Sequence, residues 1–267
     1  DHPQQQRPRK RVGQTVPHDP ALHHRIGPGL GPRPDDRLVE TGPGRGAITR
    51  PLLQAAGRLQ VVELDRDLIE PLQARCDGAG ELSVINADAL KTDFCALSGD
   101  RKLRVVGNLP YNISTPLLFH LLDFGEQILD MHFMLQKEVV ERMAAGPGTK
   151  AYGRLSIMLG CHLAIEPLFD VDRSAFDPPP AVTSSVVRLD PLPPGTFAID
   201  DQTGLSTLVA TAFMQRRKTL RNALKTVAQA PDFAAVGIDS ALRPEQISIA
   251  EYVALANHLH AKSNHQH

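Results

Sequence analysis

Short stretches of this chain put residues able to do chemistry at regular intervals: Gly42-Pro43-Gly44-Arg45-Gly46, then Glu63, then Asp88, then Asn108-Leu109-Pro110-Tyr111. An Asn side-chain oxygen and the Leu109 carbonyl are acceptors, and Tyr111 offers a ring face, a set suited to a flat base that carries an amino group. Glycines let a backbone turn tightly and approach a ligand, and the helix start behind them offers unpaired N–H groups. The loop spacing is G-x-G-x-G, and Glu63 follows it by about 20 residues, where α/β nucleotide sites hold an acid against ribose hydroxyls. Asp88, at a third strand end, suits an adenine amine. Each feature alone has an ordinary structural explanation. Asn, Gly and Pro are common turn residues, a glycine turn is as often structural, and a strand-end acid can cap the next helix.

The elements that must position these residues follow from pattern. Val105-Val106 favours extended backbone, Gly107 permits a turn or close approach, and Pro110 fixes its own φ while biasing Leu109 away from helix. Thr115 is expected to cap the next helix with Pro116 at its first position, and Leu117, Leu118, Leu121 and Leu122 form its apolar face. Arg37–Thr41 reads as the first strand, feeding the glycine turn and a helix over Ala47–Ala56 with Ile48, Leu52 and Leu53 inward. Leu59–Glu63 and Leu82–Ile85 read as the second and third strands, with Asp65 or Asp67 capping between them and Pro71 delaying the helix. Met131–Gln136 is a further strand before a helix over Lys137–Ala144, Tyr152–Leu163 is a buried element, and Ser185–Leu189 is a late strand. Strands alternating with helices predict an α/β fold whose ligand lies at the carboxyl ends of the strands. Phe176, ahead of Asp177-Pro178-Pro179-Pro180, is either a core anchor or an exposed stacking ring, with the core favoured for Phe taken alone.

With 267 residues, 42% apolar and 22% charged, the chain suits a globular protein with one large domain and a small partner. The expected divisions are a basic arm over 1–18 carrying Arg7, Arg9, Lys10 and Arg11, a catalytic domain over 19–192, and a helical domain over 196–267 behind the linker Pro191, Pro193, Pro194 and Gly195. Asp19–Leu30 is expected to hold a short helix, and Gln202–Ala230 and Pro244–Ala261 the longer ones. No apolar run is long enough for a membrane span, and Asp1–Pro20 lacks the apolar core of a secretory signal, so a cytoplasmic protein is expected. Cys76, Cys95 and Cys161 form no metal-type pair, and the histidines from His258 to His267 lack accompanying ligands, so no metal is expected. A net charge of −1 conceals a basic stripe at Arg216, Arg217, Lys218, Arg221 and Lys225, either a solvated face or a phosphate-binding surface.

Taken together, Glu40-Thr41-Gly42-Pro43-Gly44-Arg45-Gly46, Glu63-Leu64-Asp65, Asn86-Ala87-Asp88 and Asn108-Leu109-Pro110-Tyr111 resemble the S-adenosylmethionine-dependent rRNA adenine N6,N6-dimethyltransferases, nearest the KsgA-type enzymes of bacterial 16S rRNA. The likeness extends to Gln136–Val139, Lys150–Ser156, Phe176–Pro180 and Gln215–Asn222. It implies a Rossmann-like methyltransferase sheet of seven strands, the last antiparallel, and a small C-terminal helical domain that grips rRNA through Arg216, Arg217, Lys218 and Arg221. It further implies Gly42 and Gly44 beneath the methionine part of the cofactor, Glu63 on the ribose, Asp88 on the cofactor adenine, and Asn108 between cofactor and target. Leu109 lends its carbonyl, and Tyr111 and Phe176 sandwich the target base. The partner so implied is 16S rRNA in a small-subunit precursor, met by a monomer.

Family members usually read Phe-Gly-Gln-Asn-Phe-Leu where this chain has Val12-Gly13-Gln14-Thr15-Val16-Pro17. Thr15 and Pro17 therefore stand at expected cofactor positions with a hydroxyl in place of an amide and one backbone donor fewer. Ala181 replaces a usual Lys, and Thr183 a usual acid. The rival expectation is a ribosome-assembly or RNA-binding factor of the same fold with weakened catalysis.

Overall fold

Runs of Val, Leu and Ile too short for helices, each ending at a polar or glycine residue, build the sheet in this computed structural model, which describes Val16–Pro17 and residues 29–266. Thr15, the basic arm and most of the expected Asp19–Leu30 helix lie outside the described residues. In chain order the strands and helices are β1 (Val16–Pro17), β2 (Arg37–Thr41), α1 (Thr49–Ala56), β3 (Arg58–Val62), α2 (Ile69–Arg75), β4 (Glu81–Ile85), α3 (Phe94–Ser98) and β5 (Leu103–Asn108). They continue with α4 (Ser114–Leu122), β6 (Ile128–Gln136), α5 (Lys137–Ala144), α6 (Arg154–Gly160), β7 (Leu163–Val171), β8 (Phe176–Asp177) and β9 (Ser184–Pro191). The last are α7 (Gln202–Phe213), α8 (Leu220–Ala223), α9 (Ala230–Ala235) and α10 (Ile249–Asn264).

The main sheet has seven strands in the order β4-β3-β2-β5-β6-β9-β7, and β1 pairs separately with β8. Strands β4, β3, β2, β5 and β6 run parallel, and β9 joins β6 antiparallel. This is the expected Rossmann-like methyltransferase sheet. Strand β7 is not expected from the sequence, where Pro167 in its middle argues against a strand. Its place at the sheet edge removes the objection, since an edge residue needs no N–H on its open side.

The chain divides into two compact units, one formed by residues up to Val140 with Glu166–Pro191, the other by Glu141–Ile165 with the chain from Leu192 onward. The expected catalytic domain ran through 192, yet 141–165 packs with the helical unit. Burial of Tyr152 accounts for this: its hydroxyl donates to the Ile247 carbonyl at 2.7 Å, and the Gly148 N–H donates to Glu245 at 2.7 Å. In the first unit α1 and α2 bury Leu52, Leu53 and Leu72 with Leu38, Leu59, Val61 and Val106 of the strands. In the second, Tyr152, Ile157, Leu205, Val209, Leu220, Phe233 and Tyr252 form a separate core.

The helical unit departs from expectation in its breaks. The helix expected over Gln202–Ala230 ends at Phe213, because the N–H groups of Leu220 and Arg221 donate to the Leu242 and Ser240 carbonyls instead of carbonyls one turn back. The helix expected from Pro244 begins at Ile249, capped by Ser248, whose hydroxyl accepts from the Glu251 N–H at 3.1 Å while Glu251 accepts from the Ser248 N–H at 3.0 Å. That Ser-x-x-Glu box was present in the sequence and marks the true start. Ser248→Ala is expected to cost about 1 kcal/mol, measured by denaturant unfolding.

Candidate active site

Parallel pairing sets the site. Thr41 lies opposite Val62 and Gly107, and Val62 opposite Ile85, so β4, β3, β2 and β5 end at one rim. The backbone ladder continues past the strand ends: Gly42 N–H donates to Val62, Glu63 N–H to Ile85, and Ala87 N–H to Glu63, at 2.9, 3.0 and 3.2 Å. Asp88, Glu63, the glycine loop and Asn108 therefore stand side by side in sheet order. With strands about 4.8 Å apart, they span roughly 14 Å, the reach of a nucleoside carrying an amino-acid arm.

The glycine loop is closed by side chains. Gly42, Gly44 and Gly46 have φ of +59°, +57° and +81°, in the region that favours glycine, and a Cβ on Gly42 would meet nothing within 4 Å. The need at Gly42 is thus conformational, and the space above it is open to a ligand. Glu63, only 1% exposed, accepts the Gly44 N–H on one oxygen at 3.1 Å and the Asp65 N–H on the other at 2.9 Å. A buried carboxylate at a strand end is the acceptor-only group that suits ribose hydroxyls. Asn86 fixes this corner by donating to the Glu63 and Leu64 carbonyls at 2.9 and 3.1 Å. Asp88 is half-buried, and its Oδ1 accepts from the Leu90 N–H at 3.0 Å, which orients Oδ2 as an acceptor for an amine.

Glu40 has a part in the site that its sequence motif does not reveal. It is 2% exposed and accepts from the Thr49 hydroxyl at 2.6 Å. Burial pushes its carboxyl up to about 8 against the Thr49 hydrogen bond, with Glu63 adding to the rise. The signal available beforehand was an acid inside an apolar strand, Leu38-Val39-Glu40.

At the end of β5 the Leu109 N–H donates to Met134 at 3.0 Å, and the Pro110 carbonyl accepts from Ile113 and Ser114, both at 3.1 Å. The helix then starts at Ser114, one residue before the expected cap: Ile113 is the cap without a side-chain bond, and the Ser114 hydroxyl donates to the Tyr111 carbonyl at 3.2 Å. Pro116 falls inside the first turn, where a missing N–H costs nothing. This turn leaves Asn108 half-buried, Leu109 buried and the Tyr111 ring 50% exposed. Gly107 is required for a different reason from the loop glycines: a Cβ there would come within 2.5 Å of the Thr41 hydroxyl oxygen and 2.9 Å of its carbonyl. Gly107→Ala is expected to push β2 and β5 apart, costing about 1–3 kcal/mol in thermal unfolding and displacing Asn108.

Phe176 resolves to the core alternative. Its side chain is 2% exposed and packs in the same cluster as Leu30, Met134 and Val186, so it presents no open ring face. Its backbone pairs with Pro17 of β1, which places that expected cofactor residue against the Phe176 strand.

Of the expected RNA-binding cations, Arg216 is engaged within the helical unit. Its guanidinium donates to the Lys150 and Tyr152 carbonyls, both at 3.0 Å, and lies 5.6 Å from the Phe213 ring centre. Arg217, Lys218, Arg221 and Lys225 are exposed. Among the described residues no group of His, Cys, Asp and Glu is arranged to hold a metal, and no helix is long and apolar enough to cross a membrane.

Comparison with known proteins shows the family. The sequence profile of the family described as ribosomal RNA adenine dimethylase matches residues 5–261. A protein of Chromobacterium violaceum named ribosomal RNA small subunit methyltransferase A is 51% identical over 96% of this chain and 97% of its own. One of the same name from Alcanivorax borkumensis is 54% identical over 94% of this chain and 90% of its own. The crystal structure of a dimethyladenosine transferase from Plasmodium falciparum shares the fold with a TM-score of 0.80 at 24% identity, covering 93% of this chain and 98% of that one. A profile spanning nearly the whole length and relatives above half identity place this chain in the ribosomal RNA adenine dimethylase family.

Proposed function

We propose that this chain transfers methyl groups from S-adenosylmethionine to the N6 amine of adenosines in 16S rRNA, giving N6,N6-dimethyladenosine. The observation that carries the proposal is the order of the strand ends, an amine acceptor at Asp88, a ribose acceptor at Glu63, a glycine loop at Gly42 and Gly44 with open space above Gly42, and a base clamp at Asn108-Leu109-Pro110-Tyr111. Bound there, S-adenosylmethionine supplies a methyl group already activated by its sulfonium. What remains for the protein is the poor nucleophile, an amine whose lone pair is delocalised into the adenine ring. The Asn108 side-chain oxygen and the Leu109 carbonyl accept the two amine hydrogens and bend the nitrogen towards tetrahedral geometry, withdrawing its lone pair from conjugation with the ring and aiming it at the methyl. Tyr111 stacks on the extruded base, worth about 1–3 kcal/mol. After the first transfer the nitrogen, now cationic, releases one proton to solvent, and the once-methylated amine turns and offers its remaining hydrogen to the same clamp; the second transfer releases that hydrogen in turn.

The RNA is held by Arg217, Lys218 and Arg221, while Arg216 shapes the loop that bears them. Replacing these three by alanine together is expected to weaken RNA binding and to flatten its logarithmic salt dependence by roughly 0.7–0.9 for each phosphate contact removed, read by filter binding over a salt series. The chain works as a monomer in the cytoplasm on a small-subunit precursor. The decisive experiment supplies S-adenosylmethionine and small-subunit particles assembled from unmodified 16S rRNA, then maps the adenines. Dimethyladenosine at discrete positions is expected, and no modified adenine in any particle preparation would end the proposal. Titration with S-adenosylmethionine separates the binding-only alternative, which gives no heat.

A further inference from the structure

Two acids lie beneath one glycine loop. Glu63 takes the Gly44 N–H from above, while Glu40 and Thr49 join the last strand residues before the loop to the first helical residue after it, through a bond of 2.6 Å between buried groups. Glu40 stands in β2 between Val61 of β3 and Val106 of β5, in a dry setting. Facing it are the Thr49 hydroxyl of α1, the Glu63 carboxylate beyond β3 and the Cys76 thiol at the end of α2, whose own proton is held more tightly by burial and by Glu40. Arg50 and Arg75, the cations that act on Cys76, direct their guanidiniums to the carbonyls of Arg75, Asp77 and Arg45. Among the described residues Glu40 makes no ion pair. A carboxyl so placed has no ion-pair partner among the described residues, and the cofactor would bring a positive charge.

We propose that Glu40 is a positioning residue that senses ligand charge: it keeps its proton in the ligand-free protein and releases it to solvent when S-adenosylmethionine, cationic at sulfur, fills the glycine loop. The inference rests on that loop being the cofactor site. Methyl transfer turns the sulfonium into a neutral thioether, so the charge that favours ionised Glu40 disappears. Glu40 then takes a proton back from solvent and the product is bound less tightly than the donor. The Glu40–Thr49 clasp tightens when the acid is charged, since a hydroxyl bonds more strongly to a carboxylate than to a carboxylic acid. Discrimination between donor and product is thereby tied to closure of the loop.

Calorimetric titration at pH 7 in buffers of different ionisation heat counts the protons. Close to one proton should leave per S-adenosylmethionine bound, and close to none per S-adenosylhomocysteine. Glu40→Gln should release none with either ligand. Equal release by wild type and Glu40→Gln, or by donor and product, overturns the proposal. Absence of heat in every buffer removes the cofactor reading and this proposal with it, and a ligand-free measurement tells the two failures apart. Native Glu40 holds its proton to about 8 against an ordinary 4.5, so the folded state binds more protons between those values and stability falls as pH rises through them. Glu40→Gln should lack that decline, and a variant that declines as the wild type does refutes the protonated acid itself. If Glu40→Gln does not fold, Thr49→Val serves instead. It removes the bond that favours the charged form, so the pH at which proton release fades should move up, and an unmoved profile counts against the clasp.

Discussion

Asn108→Ala is expected to yield a folded protein that binds S-adenosylmethionine and RNA and transfers no measurable methyl group, a loss of at least about a thousandfold in kcat. The size follows from what the side chain does. Asn108 is the last residue of β5, held in register with Met134 of β6, while the following Leu109 N–H is locked on the Met134 carbonyl at 3.0 Å. The backbone position is therefore set by the sheet, and removing the amide takes away an acceptor without moving its neighbours. The Leu109 carbonyl alone can hold one amine hydrogen, which leaves the nitrogen planar and its lone pair in the ring. A loss confined to kcat, with KM for particles unchanged, marks an interaction made in the transition state. Both the first and the second transfer should fail together, seen as absence of the monomethylated product as well as the dimethylated one. Asn108→Asp keeps an acceptor and should retain part of the rate, whereas near wild-type turnover in Asn108→Ala would remove Asn108 from the chemistry.

The rim of the sheet was legible because it depends on local signals. A glycine loop after a short apolar strand, acids at successive strand ends and an Asn before a proline each declare themselves within a few residues, and parallel pairing aligns them. What escaped depends on partners distant in sequence. Pro167 hid strand β7, since only its position at the sheet edge makes a proline tolerable there. The basic run looked uniform, yet Arg216 finds the carbonyls of Lys150 and Tyr152 across more than sixty residues. Phe176 could be weighed only by type, and its burial against Leu30 and Val186 is a tertiary fact. The helix breaks near Thr219 come from carbonyls at Ser240 and Leu242, which no periodicity announces.

The least legible feature carries the second large effect, and Asp130→Ala is expected to destabilise the first unit by about 3–5 kcal/mol. Near the start of β5, Arg104 donates to Asp130 of β6 at 2.9 and 3.2 Å, to Asp36 at 2.7 Å and to the Gly31 carbonyl at 3.2 Å, and it also bonds the Leu30 carbonyl. Both Arg104 and Asp130 are buried. Burial alone would lower the Arg104 pKa, but hydrogen bonds to the two acids outweigh it and hold the charge more firmly than usual. His132 beside them is kept neutral chiefly by burial, and its Nδ1 stands 4.0 Å from Asp130, too far for a hydrogen bond. Removing Asp130 leaves the Arg104 cation short of its in-plane partner in a dry place, and leaves Asp190 as the acid that balances Arg104 and Arg188 around His132. The pairing of β5 with β6 shifts register between Leu103 and Arg104, so this ion pair sits where the ladder itself is weakest. The same two strands pair Asn108 with Met134 towards the other rim, which couples a charge network at one rim to placement of the amine acceptor at the other. For a unit of this size the loss should lower the unfolding midpoint by about 6–20 °C in a thermal scan. Replacing Arg104 and Asp130 together by Met and Leu should recover most of that, because the two most buried charges leave together and Asp36, nearer the surface, keeps the Arg33 N–H at 2.8 Å. A double variant as unstable as Asp130→Ala would show that the packing of this corner, rather than its charge, holds the strands.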